Sequence, residues 1–310
     1  MFSTAVRSWF GRTLEVPPVA AAACLPDAAV SRYNFSPAPE QPPNLWPAAR
    51  LAVTSQLWGK GFNLPGGEVE ILQLTRSLGL SSASSLLLIG VGAGGPASSI
   101  VRNLGAWVTG LEVDPALVKE AKALMKAGQI ANKAKIEAWD PENPRFGRGQ
   151  HHHCLAIEPL RAGGQPEPII DSLAQTLKTG GQLVMIELVA DAPLLAGDPT
   201  VSRWARLEHR TAAAVPTANG VTRMLTRVGF DVRIAEDISD RHMHNAMIGW
   251  RVAVRDLRDY KPAPPVAAQL VAEAEIWLLR VKLLREKRLR MMRWHAIGRA
   301  SSAVASPRPA

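Results

Sequence analysis

Leu86-Leu87-Leu88-Ile89-Gly90-Val91-Gly92-Ala93-Gly94-Gly95-Pro96-Ala97 is the stretch that decides the fold. Its first four residues are a short apolar run between a serine-rich and a glycine-rich stretch, as expected of a strand buried on both faces. The glycines that follow allow positive φ and let backbone come close to a ligand. Pro96 suits the first turn of a helix, where no N–H is needed, and the free N–H groups of that turn point back toward the loop.

Outward from this corner, strand and helix patterns alternate. Upstream, residues 67–79 read as a helix ended by Gly79. Downstream, the pattern predicts a helix over 96–104, a strand over 107–113, a helix over 115–128 and a strand over 135–139. A strand at 154–157 and a helix at 168–178 come next, and Thr179-Gly180-Gly181 leads into a strand at 182–189. Beyond residue 200 the reading is mostly helical, with a strand at 231–235, a helix at 244–258 and a long helix at 266–288. Residues 289–297 are read as a final strand lying antiparallel beside the one at 231. The expected fold class is α/β: a doubly wound, seven-stranded, mostly parallel sheet with an antiparallel last strand and added helices on both faces. Residues 1–49 read as a flexible Pro/Ala-rich tail, 50–299 as the domain and 300–310 as a disordered tail. Within the domain, 50–80 is an N-terminal lid, 81–190 a ligand-binding core and 191–299 a substrate side.

Composition narrows the class. The 310 residues are 47% hydrophobic and 20% charged, as in globular proteins, and no apolar run reaches the roughly 20 residues of a membrane helix. Two cysteines, Cys24 and Cys154, exclude a disulfide scaffold and fit a reducing compartment. The cytoplasm is therefore expected. The acid-free, Arg-containing start MFSTAVRSWFGR keeps the mitochondrial matrix open, and a membrane-peripheral place is a further alternative. Of the net charge of +9, residues 261–310 carry +7, from ten Lys/Arg against three Glu. That basic region suits a solvated face or an anionic partner surface; without clustered aromatic platforms, no stable nucleic-acid partner is expected.

Three acids fall at strand ends. Glu112, 22 residues after Gly90, closes the second strand, where a carboxylate can accept hydrogen bonds from both hydroxyls of a ribose. Asp140 ends the third strand, within reach of an adenine amine, and Glu158 follows the fourth. His151-His152-His153 is expected in a loop entering the fourth strand; in extended chain three adjacent imidazoles cannot face one metal, and no metal site is expected. In Arg241-His242-Met243-His244 an ordinary polar contact is the favoured reading of His244, with a place facing the site as the alternative. Trp204, Trp250, Trp277 and Trp294 read as packing residues.

No second glycine-rich unit follows, so a single nucleoside suits the pattern better than a dinucleotide. LLLIGVGAGGPA, VTGLEVDP, IEAWDPENPRF and LAQTLKTGGQLVMIE resemble, in order and spacing, the motifs of class I S-adenosylmethionine-dependent methyltransferases. Leu57-Trp58-Gly59-Lys60-Gly61-Phe62 with Pro65-Gly66-Gly67, and Gly229-Phe230 with Ala235–Ser239, are similar to segments of phosphoethanolamine and sarcosine/dimethylglycine N-methyltransferases. The resemblance implies that Gly90, Gly92 and Gly94 line the methionine part of S-adenosylmethionine, Glu112 its ribose and Asp140 its adenine. It further implies a small amine or lipid head group as acceptor, with Glu158 as the catalytic candidate. Three positions depart from the pattern: Leu88 stands where the first motif has an acid, Phe62 replaces a tyrosine, and Glu158 fills a position that often faces substrate. A catalytically inactive relative acting as an interaction or assembly module therefore stays open beside the enzyme.

Overall fold

The computed structural model describes residues 44–298. The two expected tails lie almost wholly outside them, although the first helix begins inside the stretch read as tail. In chain order the helices are α1 (Ala48–Trp58), α2 (Gly67–Thr75), α3 (Gly95–Leu104), α4 (Pro115–Ala127), α5 (Pro166–Thr176), α6 (Pro199–Leu207), α7 (Ala218–Arg227), α8 (Ser239–Asp256) and α9 (Pro264–Arg285). The strands are β1 (Ser85–Ile89), β2 (Trp107–Glu112), β3 (Ala134–Ala138), β4 (His151–Ile157), β5 (Leu177–Ala190), β6 (Phe230–Asp237) and β7 (Leu289–Gly298). They form one sheet in the order β3-β2-β1-β4-β5-β7-β6. The first five strands pair in parallel, and β7 runs antiparallel to both of its neighbours. This is the expected architecture, final strand included.

The apolar run of β1 sorts its side chains by parity. Leu86 and Leu88 join a core with residues of α1, α2, α3, α4, α8 and α9, and Leu87 and Ile89 join a second core with α5 and α7. The same alternation along β5 sends Val184, Ile186 and Leu188 one way and Leu183, Met185 and Val189 the other. The four tryptophans expected as packing residues are all buried. Helix starts follow local chemistry. The Asp114 carboxylate accepts the N–H groups of Ala116 and Leu117 at 2.8 and 3.3 Å before Pro115 opens α4, and Asp198 and Thr217 cap α6 and α7 in the same way.

Three local expectations are corrected. His151–His153 are not a loop but the first residues of β4. There His151 Nδ1 lies 2.9 Å from Thr176 Oγ1 and His152 Nδ1 lies 2.8 Å from Ser85 Oγ. Thr179-Gly180-Gly181 is not a turn before β5 but a bulge within it. His151 pairs with Leu177 and His153 with Gln182, so extra residues of β5 loop out where Gly180 takes φ +72°. Helix α8 starts at Ser239, five residues earlier than read. Among the described residues no helix is long and apolar enough to cross a membrane, and no three His, Cys, Asp or Glu side chains are grouped to hold a metal.

Candidate active site

The C-terminal end of β1 turns through glycines whose left-handed backbone other residues rarely adopt. Gly90, Gly92 and Gly94 adopt φ of +74°, +59° and +98°. A Cβ on Gly90 would lie 2.3 Å from the Ile157 carbonyl of β4, and one on Gly94 would lie 2.9 Å from Cα of Ala121 in α4. The N–H groups of Gly90 and Val91 both donate to the Leu111 carbonyl of β2, at 3.0 and 3.3 Å. The loop is thus pinned between β2, β4 and α4, and α3 starts from it.

The segment between α1 and α2 lies on this loop. The Gly95 N–H donates to the Gly61 carbonyl at 2.9 Å, and the approach is so close that a Cβ on Gly61 would sit 2.7 Å from that nitrogen. The Phe62 ring is buried, with its Cγ–Cδ2 edge against Gly95. Asn63 rests on Gly92.

Glu112 faces the loop. One carboxylate oxygen accepts the Gly92 N–H at 2.8 Å and the other accepts the Val113 N–H at 2.9 Å. Burial pushes its pKa up, and these N–H bonds partly offset that by favouring the charged form. Asp140 stands beside it: β2 and β3 pair Glu112 with Ala138, and the Trp139 N–H donates to the Glu112 carbonyl at 3.2 Å. The Asp140 side chain is exposed and accepts the Glu142 N–H at 3.0 Å. Leu88 is wholly buried in the core under the loop.

Glu158 directly follows the residue whose carbonyl presses on Gly90, and it takes a left-handed conformation at φ +45°. Its carboxylate is not free. Arg210 holds one oxygen, and Arg280 Nη1 lies 3.3 Å from the other. The same two arginines hold Glu208: Arg280 donates to it twice at 2.7 Å, Arg210 Nε lies 3.2 Å away, and Trp204 Nε1 donates at 2.8 Å. Glu187 completes the cluster through the N–H groups of Leu160 and Leu188, at 2.8 and 3.1 Å. Burial alone would raise the pKa of Glu158, but the Arg280, Arg210 and Arg161 charges outweigh it and hold the carboxyl at about 2. Glu187, buried and beside Glu158 while sharing Arg210 with it, moves the other way.

His242, not His244, is the buried histidine of α8; His244 is exposed. The His242 ring lies 5.6 Å from that of Trp277, which itself packs 5.0 Å from Trp58 and carries the Arg280 guanidinium 5.2 Å over its face. Glu187, Glu208, Arg210, Arg280 and His242 were missed from sequence. Of these only Glu187 had a local signal, a lone carboxylate inside the apolar run of β5.

No protein-family model matches the chain. The O-methyltransferase resE of Aspergillus sclerotiorum is 26% identical over 179 residues, which is 56% of this chain and 66% of that protein. The chain spans a little under two thirds of the length of that curated relative. Phosphoethanolamine N-methyltransferase 2 of Haemonchus contortus, solved with S-adenosyl-L-methionine, superposes with a TM-score of 0.71 at 15% identity, over 81% of this chain and 57% of that one. The fold is that of the class I S-adenosylmethionine-dependent methyltransferases. The (4+2)-cyclase SpnF shares it, with a TM-score of 0.61 at 17% identity over 82% of this chain and 95% of that one. The methyltransferase fold therefore fixes the architecture here and leaves the reaction to the site.

Proposed function

We propose that this chain is an S-adenosylmethionine-dependent methyltransferase acting on a small-molecule acceptor, a small amine or a lipid head group. The observation that carries the reading is Glu112, whose carboxylate lies against the Gly92 N–H beside a loop that has no room for side chains at Gly90 and Gly94. The fit to a nucleoside is chemical. Glu112 Oε2 accepts only the Gly92 N–H and keeps lone-pair capacity for a ribose hydroxyl, whereas Oε1 already takes the Val113 and Asp114 N–H groups at 2.9 and 3.4 Å. Asp140, one strand over and open to solvent, is the acceptor we assign to the adenine amine. Gly90, Gly92 and Gly94 are the backbone we assign to line the methionine part.

When bound, the cofactor supplies a methyl group made electrophilic by a sulfonium. The protein then has to hold an acceptor in line with it, an alignment that contributes on the order of several kcal/mol. Glu158 is the catalytic candidate on the acceptor side. A carboxylate held at a pKa of about 2 between two arginines is a weak proton acceptor, so its role in this reading is to orient the acceptor by charge. An amine acceptor would lose its proton elsewhere. The choice of acceptor class is supported by the likeness of the segment at residues 57–67 to phosphoethanolamine N-methyltransferases; Phe62 removes one hydroxyl from that pattern.

A second reading, a catalytically inactive relative serving as an interaction module, is favoured by the buried Leu88 in place of an acid. Isothermal titration with S-adenosylmethionine separates the two. The enzyme reading expects micromolar binding that Glu112→Ala abolishes, and methyl transfer that Glu158→Gln slows while cofactor affinity stays within about twofold. A folded protein that does not bind the cofactor supports the inactive relative, and unchanged turnover in Glu158→Gln removes the role given to that residue.

A further inference from the structure

We propose that Asn63 stands in for the acid missing at Leu88, its side-chain carbonyl receiving the α-ammonium group of the cofactor's methionine part. The assignment rests on the cofactor reading above and adds a residue that no motif points to.

Four observations converge on it. Asn63 Oδ1 is buried and has no hydrogen-bond partner among the described residues. A buried acceptor left unpaired is costly, so its presence beside a ligand loop calls for a donor. The amide lies on the glycine loop: a Cβ on Gly92 would lie 3.0 Å from Asn63 Nδ2 and 3.3 Å from Cγ, so side chain and loop are in direct contact. The position is fixed, because Phe62 and Leu64 on either side are buried and the Gly61 carbonyl is bonded to the Gly95 N–H. Finally, the β1 position that would otherwise supply a carboxylate is Leu88, fully buried and without a polar atom.

The chemistry matches. An ammonium only donates and an amide carbonyl only accepts, so the pair is complementary and charge-assisted. Gly92 is flanked by the Glu112 carboxylate, which takes its N–H, and by the Asn63 amide. A neutral carbonyl on the second side avoids placing another negative charge next to a carboxylate whose ionisation burial already opposes.

The test compares two ligands by isothermal titration: S-adenosylhomocysteine, which carries the amino-acid group, and 5′-methylthioadenosine, which lacks it. Asn63→Leu keeps the size and removes the acceptor. It is expected to weaken S-adenosylhomocysteine by roughly 10- to 100-fold, the worth of one charge-assisted hydrogen bond, and to leave 5′-methylthioadenosine within about twofold. Asn63→Asp, which keeps an acceptor but adds a negative charge near Glu112, is expected to bind S-adenosylhomocysteine more tightly than Asn63→Leu does and no more tightly than the wild type; affinity as low as that of Asn63→Leu would overturn the assignment. Equal weakening of both ligands in Asn63→Leu would mean that the residue only supports the loop, and unchanged affinity would mean that it touches no ammonium; either overturns the assignment while leaving the cofactor reading intact. A wild-type protein that binds neither ligand overturns the cofactor reading, and Asn63 with it.

Discussion

His242 is buried next to Trp277, with the Arg280 and Arg241 charges nearby and the opposing Glu158 and Glu208 charges beyond them. Burial first, then the arginines, push its pKa down to about 3, so the folded protein keeps the ring neutral. The unfolded chain protonates it below pH 6.5. The stability that depends on the neutral ring is therefore complete above pH 6.5 and is lost as the pH falls toward 3. We expect the stability difference between wild type and His242→Gln, measured by urea unfolding, to shrink by a few kcal/mol between pH 6.5 and 3. A pH-independent difference would refute this. His151, His153 and His295 are depressed as well, chiefly by burial, but they are common to both proteins and cancel. At this scale the sequence was uneven. Glu112 was legible because a strand and a glycine loop fix its place from 22 residues away. His242 was not, because the start of α8 was read at 244. In extended chain residues 242 and 244 share a side, whereas on a helix they point roughly 200° apart, so here only one of them faces inward. The true start carries a weak signal: Ile238 caps nothing, and the Asp237 carboxylate takes the Ser239 N–H at 2.9 Å instead.

Among elements, the contact of α1 with α8 depends on one missing side chain. A Cβ on Gly249 would lie 2.5 Å from both the Leu57 carbonyl and the Trp58 ring. In an open helix, glycine to alanine is stabilising by about 1 kcal/mol. Here the sign reverses, because backbone and a packed tryptophan cannot yield. Gly249→Ala is expected to lower the melting temperature by several degrees, and because Trp58 leads directly into Gly61–Asn63, to weaken cofactor binding along with it. A rise in melting temperature would show that α1 gives way freely. Elements were the best-read level of the chain. The alternating strands and helices carry their own periodicity, and even β7, which could have extended α9, was placed by the need to complete the sheet. The bulge in β5 escaped because Thr-Gly-Gly looks the same in a turn and in a bulge; only the register against β4 distinguishes them.

The whole molecule is tied together by charge as well as by apolar packing. Glu158 directly follows β4, Glu187 lies within β5, Glu208 and Arg210 come from the chain after α6, and Arg280 from α9, 122 residues beyond Glu158. No local pattern in a sequence announces a partner at that distance, which is why the position of Glu158 after β4 was legible and its pairing with Arg210 and Arg280 was not. Removing one cation from a buried cluster leaves carboxylates uncompensated. Arg280→Met should therefore destabilise the fold by about 3–5 kcal/mol, and adding Glu208→Gln should recover part of the loss. Denaturant midpoints measure both, and a loss below about 1 kcal/mol in the single variant would rule this out. Charge pairing also reinterprets the basic C-terminal region. Arg280, Lys282, Arg288, Arg290 and Arg293 all form ion pairs with acids of this chain, so much of the local excess is compensated from within. Finally, β7 enters between β5 and β6, with pairs running from Gln182–Ile297 to Ala190–Leu289 on one side and from Phe230–Gly298 to Asp237–Met292 on the other. While the polypeptide is being synthesised, two finished strands must wait with bare edges until residue 298 has left the ribosome. Until then the nascent chain is open to pairing with the wrong partner, and a stop codon before residue 289 would make that vulnerability permanent.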